Sequence, residues 1–130
     1  MGTVAQSPLL TRTKAFALRV VRLVDRLPSG RSSDVIGKQL LRCATSVGAN
    51  YRAACRARST SEFCAKLGIV EEEADESVYW LELLVESGQV RGDLLQNLLQ
   101  EANEIVAMVV SSIRTARNRT RSNNNRSEAR

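Results

Sequence analysis

The sequence contains no histidine, and aromatic residues make up only 4% of its 130 residues. Without histidine the chain lacks the commonest general base and the commonest metal-binding side chain. Its three cysteines, Cys43, Cys55 and Cys64, form no C-x-x-C pair and lie in segments of helical periodicity, where an isolated cysteine packs as a small apolar residue. No glycine-rich phosphate loop or nucleophile motif occurs. We therefore predict a protein that is not an enzyme and has no cofactor, metal or small-molecule substrate.

Proline is also rare, with Pro8 and Pro28 the two examples, so nothing after Ser29 forces a helix to break. No run of about 18 apolar residues occurs, which argues against a membrane-spanning helix. The first residues have no basic start followed by a long apolar stretch, and the absence of this signal-peptide pattern favours a cytoplasmic protein. A chain of 130 residues is enough for one domain with a single core, which must be mainly aliphatic.

Apolar residues recur at helical spacing in four segments. A turn signal at Pro28-Ser29-Gly30 ends the first, Ser59 caps the third, and Gly88 ends it before Gly92 and the fourth. The predicted helices span residues 13–27, 33–58, 60–87 and 93–117. The pattern Ser59-x-x-Glu62 is typical of a capping box at the start of the third helix. A stripe of small residues on the second helix, including Gly37 and Gly48, indicates that another helix approaches closely there.

Short connections place consecutive helices antiparallel. The sequence therefore predicts an all-α fold, an up-down-up-down four-helix bundle over residues 13–117. The residues before it, 1–12, are expected to form a flexible N-terminus. Residues 118–130 contain almost no apolar side chain and are expected to form a disordered, arginine-rich tail.

Helices three and four carry more apolar surface than the stripe of about 100° that a bundle helix requires. Broad apolar faces can also be buried within a small bundle, but surplus surface of this kind fits an oligomer interface better. We therefore predict a cyclic homo-oligomer. The candidate interface residues are Ile69, Trp80 and Leu83 on helix three and Leu95, Leu99 and Val106 on helix four.

Charge is distributed unevenly. Residues 1–113 carry 13 basic and 13 acidic side chains, whereas residues 114–130 carry six arginines and one glutamate. Basic side chains also align on helix two. The candidate nucleic-acid-binding residues are Lys38, Arg42, Arg52 and Arg56 on helix two and Arg117, Arg119, Arg121 and Arg126 near the C-terminus.

Three interpretations of the basic stripe on helix two stay open at this stage. The stripe can contact phosphates, it can be a solvated face, or it can pair with an acidic stripe on helix three of another subunit. The acidic stripe consists of Glu71, Asp75, Glu82 and Glu86.

Several of these segments resemble a known family. The clearest are GKQLLR at 37–42, TSVGANYR at 45–52, EADES at 73–77 and YWLELL at 79–84. Over residues 16–117 the chain resembles the bacterial four-helix-bundle family encoded in intervening sequences of 23S ribosomal RNA genes, also labelled S23 ribosomal proteins. The resemblance implies a homopentamer, kinship with the basic accessory proteins of diversity-generating retroelements, and no enzymatic activity.

Two departures from the family pattern change the surface charge. Relatives often carry glutamate where Ala53 stands and lysine where Glu72 stands. We expect a homo-oligomeric bundle that binds structured RNA or DNA without sequence specificity. The alternative is an oligomeric scaffold for a protein partner, with the Trp80 patch and the acidic stripe as its docking surface.

Overall fold

The computed structural model describes residues 7–129 and contains, within them, four α-helices and no strand. The helices are α1 (Pro8–Asp25), α2 (Arg31–Cys55), α3 (Thr60–Glu86) and α4 (Gly92–Glu128). Helix α3 packs extensively against both α2 and α4, whereas α1 packs mainly against α2. Gly37 lies against Val24 and Gly48 against Thr13, so α1 and α2 run antiparallel. The predicted all-α, four-helix fold is confirmed.

Capping residues account for where α3 begins and ends. The Ser59 hydroxyl accepts a hydrogen bond from the Glu62 backbone N–H at 3.0 Å, as the capping pattern predicts. The Glu62 carboxylate accepts from the backbone N–H of Arg58 rather than that of Ser59. At the other end Gly88 has a φ of 80°, the left-handed conformation that favours glycine after a helix.

The core is aliphatic and follows the predicted stripes of α2 and α3 closely. Its large, fully buried side chains include Leu40, Leu67, Leu81 and Ile105. A Cβ atom added at Gly48 would lie 3.4 Å from the backbone oxygen of Thr13, so α1 does approach the small-residue stripe of α2 closely. The apolar residues that recur at helical spacing on α2 are all buried: Ile36, Leu40, Cys43, Val47, Tyr51 and Ala54.

Two terminal segments differ from the sequence prediction. Helix α1 begins at Pro8, because proline is favoured in a first helical turn and Leu9 is buried against the core. The prediction of a flexible N-terminus therefore does not hold for residues 8–12, and residues 1–6 lie outside the described chain. Helix α4 continues to Glu128 where a disordered tail was expected, since no glycine or proline follows Gly92 to end it.

The predicted surplus of apolar surface on α3 and α4 is smaller than expected. Leu95 is 3% exposed and belongs to the core of its own subunit, so its assignment to an interface is wrong. Trp80, Leu83, Leu99 and Val106 are half-buried against the same core, and Ile69 is 37% exposed.

The reason is a rotation of α4 relative to its predicted core face. The buried α4 side chains are Leu95, Leu98, Ala102, Ile105, Val109 and Ile113. This series includes Leu95, which was a candidate interface residue, whereas the neighbouring Leu94 is 65% exposed.

Candidate nucleic-acid interface

Arg42, on the exposed side of α2, is held by acidic side chains of α3. Its guanidinium donates to the Glu76 carboxylate at 2.7 Å and lies 3.4 Å from the Glu73 carboxylate. Two carboxylates therefore compensate its charge. Arg42 is thus a contact between α2 and α3 within one subunit, and is poorly placed to bind phosphate.

The same carboxylates meet the Cys43 thiol, and donor atoms of Cys43, Glu73 and Glu76 lie within 4.8 Å of one another. Burial raises the pKa of Cys43 to about 12, so the thiol is protonated at neutral pH. Its hydrogen bond to Glu76 is the main reason that the pKa of that carboxyl is lowered, and the Trp80 indole N–H also donates to it at 3.3 Å. The groups that could ligate a metal are already engaged with one another and with Arg42.

At the C-terminal end of α2, unlike at Arg42, basic side chains cluster without forming ion pairs. The side chains of Arg52, Arg56, Arg58 and Lys66 line a shallow pocket of about 480 Å³ between α2 and α3. Lys14 joins Arg52 and Arg56 across the neighbouring groove between α1 and α2. None of these five cations forms an ion pair with the residues of the described chain. We call Lys14, Arg52, Arg56, Arg58 and Lys66 the basic corner.

Lys38, the remaining predicted site residue of α2, lies far from the basic corner. It precedes Arg52 by 14 positions, which is about 21 Å along a helix. Its side chain is exposed. The structure therefore does not bring Lys38 into the same surface as Arg52 and Arg56.

The C-terminal part of α4, residues 114–128, is the second basic element, and we call it the α4 extension. Arg117 and Arg121 line a cleft with Thr60 and Cys64 of α3. The extension therefore runs beside the first turns of α3, at the same end of the bundle as the basic corner. Every described side chain from Arg117 onward is exposed.

Sequence reasoning selected Arg52, Arg56 and the arginines of the extension, but it missed Lys14, Arg58 and Lys66. An antiparallel bundle brings the start of α1, the end of α2 and the start of α3 to one end. The predicted antiparallel topology could therefore have identified Lys14, Arg58 and Lys66 as neighbours of Arg52 and Arg56. The remaining information, namely which cations find an acidic partner, required the packed structure.

The acidic stripe of α3 begins at Glu71, which lines a cleft with Arg114, Arg117 and Arg121 of the α4 extension. Further along α3, the stripe lies beside an exposed aromatic side chain. Tyr79 is 56% exposed and packs edge-on against Trp80, with ring centroids 5.0 Å apart. Glu82 and Glu86, in the next turns, are also exposed. This surface is acidic and aromatic, which is unfavourable for a nucleic-acid backbone.

A groove of about 770 Å³ separates the outer sides of α1 and α2. Its lining is largely apolar and includes Leu10, Leu18 and Ala49, with Leu18 47% exposed. Lys14, Arg52 and Arg56 form its basic rim. This groove is thus an exposed apolar concavity with a basic rim.

Fold and surface together define a class: an antiparallel four-helix bundle whose described residues form a basic surface at one end. The chain belongs to the family described as 23S rRNA-intervening sequence protein, whose model matches residues 7–111. The family resemblance predicted from the sequence is confirmed. No helix in the described residues is both long and apolar enough to cross a membrane.

The crystal structure of a protein of unknown function from the S23 ribosomal protein family of Bacteroides thetaiotaomicron VPI-5482 is similar to this chain. The two are 35% identical, and the match covers 81% of this chain and 97% of that chain with a TM-score of 0.76. A search of curated proteins found no match. The family match ends at residue 111, before the α4 extension begins.

Proposed function

We propose that this protein is a non-enzymatic, homo-oligomeric bundle that binds nucleic acid through the phosphate backbone. The observation that carries the proposal is the set of unpaired cations at one end of the bundle. It comprises the basic corner and the arginines of the α4 extension, Arg114, Arg117, Arg119, Arg121 and Arg126.

Three arginines elsewhere in the described chain form ion pairs with carboxylates, and these contacts are structural. Arg12 bonds to Glu101, Arg91 pairs with Asp93 at 2.8 Å, and Arg42 pairs with Glu73 and Glu76. The basic end has no such partners, so its cations are free to displace counterions from a polyanion. Counterion release makes binding of this kind strong at low salt and weak at high salt.

Two faces of the chain are complementary, which supports self-association. The α1–α2 groove is apolar along Leu10, Leu18 and Ala49, and the outer face of α3 presents the exposed ring of Tyr79. A contact between these faces joins different surfaces of two copies, and head-to-tail contacts of this kind form a ring when the rotation from copy to copy closes. The homopentamer and the kinship with retroelement accessory proteins remain predictions. A ring would multiply weak phosphate contacts by avidity.

Binding is tested by fluorescence anisotropy with labelled DNA and RNA at about 50 and about 200 mM salt. We expect binding at the lower salt, a steep loss at the higher, and weaker binding when residues 118–130 are deleted. A matched control is Arg22→Ala with Arg26→Ala, which removes two exposed charges at the opposite end of α1. Absence of binding at about 50 mM salt would reject the proposal.

Self-association is tested separately by sedimentation of the full chain across micromolar concentrations. A species larger than the monomer is expected, and Tyr79→Lys should shift it toward the monomer because it places a charge against the apolar lining of the groove. A monomer at every concentration rules out the oligomer while leaving nucleic-acid binding to be judged on its own assay.

The α1–α2 groove also favours a second candidate, a scaffold that binds a protein partner. An exposed apolar concavity such as the one around Leu18 is typical of protein contacts. Capture of a single purified partner that is insensitive to nuclease and is lost in Leu18→Asp would favour this function. Retention of that partner by Leu18→Asp would count against it.

A further inference from the structure

The α4 extension carries its arginines in two rows on opposite flanks of the helix. Residues seven apart fall on one face of an α-helix, so Arg114 and Arg121 form one row, and Arg119 and Arg126 form the other. At 100° per residue the two rows lie roughly 140° apart. Arg117 adds to the first row, on the side that lines the cleft with α3.

The strip between the two rows is made of small polar side chains. Thr115, Asn118 and Ser122 lie there and line a shallow depression together with Arg119 and Arg126. The buried Val109 and Ile113 lie on the opposite side of the helix. The first row lines a cleft with Gly68 and Glu71 of α3, and its arginines are exposed. The extension therefore presents hydrogen-bonding groups flanked by cations to solvent.

We infer, resting on the proposed function, that the α4 extension lies lengthwise in the major groove of duplex DNA. The major groove is about 12 Å wide and admits one α-helix, whose diameter with side chains is about 10–12 Å. Fifteen residues of helix extend about 22 Å. In this position each arginine row reaches the phosphates of one strand, and Asn118 and Ser122 face the base edges.

The arrangement fits duplex DNA better than the other nucleic acids. The major groove of an RNA duplex is deep and narrow and does not admit a helix. Single strands are bound by stacking of bases on aromatic rings. The exposed ring of Tyr79 lies instead on the acidic side of α3, and Phe16 and Tyr51 are buried.

The basic corner adds phosphate contacts outside the groove. Arg58 lies just before the first turn of α3, next to the cleft that Arg121 lines. Most of the affinity then comes from phosphates, and base preference is weak. An asparagine in the strip favours adenine, which it can contact through two hydrogen bonds in the major groove.

The test compares two DNA duplexes of one sequence and equal phosphate charge. In the second duplex every cytosine carries a glucosylated hydroxymethyl group, which fills the major groove and leaves the minor groove unchanged. We expect the full chain to bind the modified duplex at least tenfold more weakly. Equal affinity for the two duplexes overturns the major-groove position.

Variants separate the two arginine rows from general charge. Arg119→Ala with Arg126→Ala should lower the slope of log K against log salt by about two, one for each lost phosphate contact. Arg22→Ala with Arg26→Ala, an equal change of charge at the other end of the molecule, should leave the slope unchanged. Equal loss in both variants would mean that only net charge matters, and would overturn the inference.

A third arm uses an RNA duplex of the same sequence. Tighter binding to RNA than to DNA contradicts groove docking while leaving nucleic-acid binding intact. Absence of binding to every nucleic acid at about 50 mM salt contradicts the proposed function itself. Circular dichroism of each variant checks that the helices are retained.

Discussion

Arg42 and Arg52 lie on the same helix and are both exposed, but their surroundings are opposite. Arg42 meets two carboxylates and a protonated thiol of the α2–α3 contact. Arg52 faces Lys14, Arg56 and the apolar groove and has no acidic partner in the described chain. The same residue type thus links helices in the middle of the bundle and is left available at its end.

The bundle body and the α4 extension differ in the same way. The body buries aliphatic side chains such as Leu40 completely, and this burial stabilises the fold. The extension buries almost nothing beyond Ala116, and its exposed surface is polar and basic. Stability should therefore depend on the body and ligand binding on the extension.

The largest expected effect is on stability. Leu40→Ala should lower the free energy of unfolding by about 2–5 kcal/mol, because it leaves a cavity in a closely packed core. Arg119→Ala, in the extension, should change it by no more than about 0.5 kcal/mol. Urea denaturation measures both. A comparable loss in the two variants would show that the extension is an integral part of the folded core.

The second prediction concerns deletion of residues 118–130. The affinity for a DNA duplex at about 50 mM salt should fall at least tenfold, about 1.4 kcal/mol. The urea midpoint should stay the same, because the deleted side chains are exposed. If the truncated chain unfolds at a lower urea concentration but binds the DNA duplex as tightly as the full chain, the roles assigned to the two regions are reversed.

The third prediction sets Arg42→Ala against Arg52→Ala. Loss of Arg42 should lower the unfolding temperature slightly and leave the salt dependence of binding unchanged, since its charge is already compensated. Loss of Arg52 should lower the salt slope by about one without changing the unfolding temperature. Thermal unfolding and anisotropy are measured on both variants, and the opposite pattern would contradict the comparison.

The smallest effect is a pH dependence at the α2–α3 contact. The pKa of Glu76 is lowered, first by the hydrogen bond from Cys43 and then by those from Trp80 and Arg42. Its contribution to stability is present above the ordinary glutamate pKa of about 4.3 and is lost as pH falls through the lower pKa of the folded state. Unfolding temperatures should therefore fall in that acidic range.

Glu76→Gln should weaken this acid sensitivity, whereas the exposed Glu82→Gln should not. Thermal unfolding followed by circular dichroism from about pH 7 to about pH 3 makes the comparison. An unchanged acid response in Glu76→Gln would show that other carboxyl groups determine it.

Local patterns predicted much of the bundle. The apolar spacing of α2 identified its buried arc, the serine at position 59 identified the start of α3, and Gly88 identified its end. The Asn50 amide donates within α2 to the backbone oxygen and the hydroxyl of Ser46. Each of these features depends on residues within a few turns of one another, where periodicity and capping chemistry act.

Apolar spacing was less informative for α4, which packs against both α1 and α3. Apolar side chains cover such a broad arc of α4 that spacing alone could not show that Leu95 is buried and Leu94 exposed. The rotation of α4 depends on how α1 and α3 share it. For the same reason, Leu95 was assigned to an interface although it belongs to the core.

The sequence by itself determined an all-α chain with four helices, an aliphatic core and an excess of arginine near the C-terminus, because helical periodicity and composition are local properties. Tertiary structure alone decided which cations have partners. A carboxylate compensates an arginine only when packing brings the two within a few ångströms, and Glu73 and Glu76 stand 31 and 34 positions from Arg42 in the chain. The available basic surface is therefore the one whose cations form no ion pair in the described chain, although Glu62 and Glu71 lie nearby.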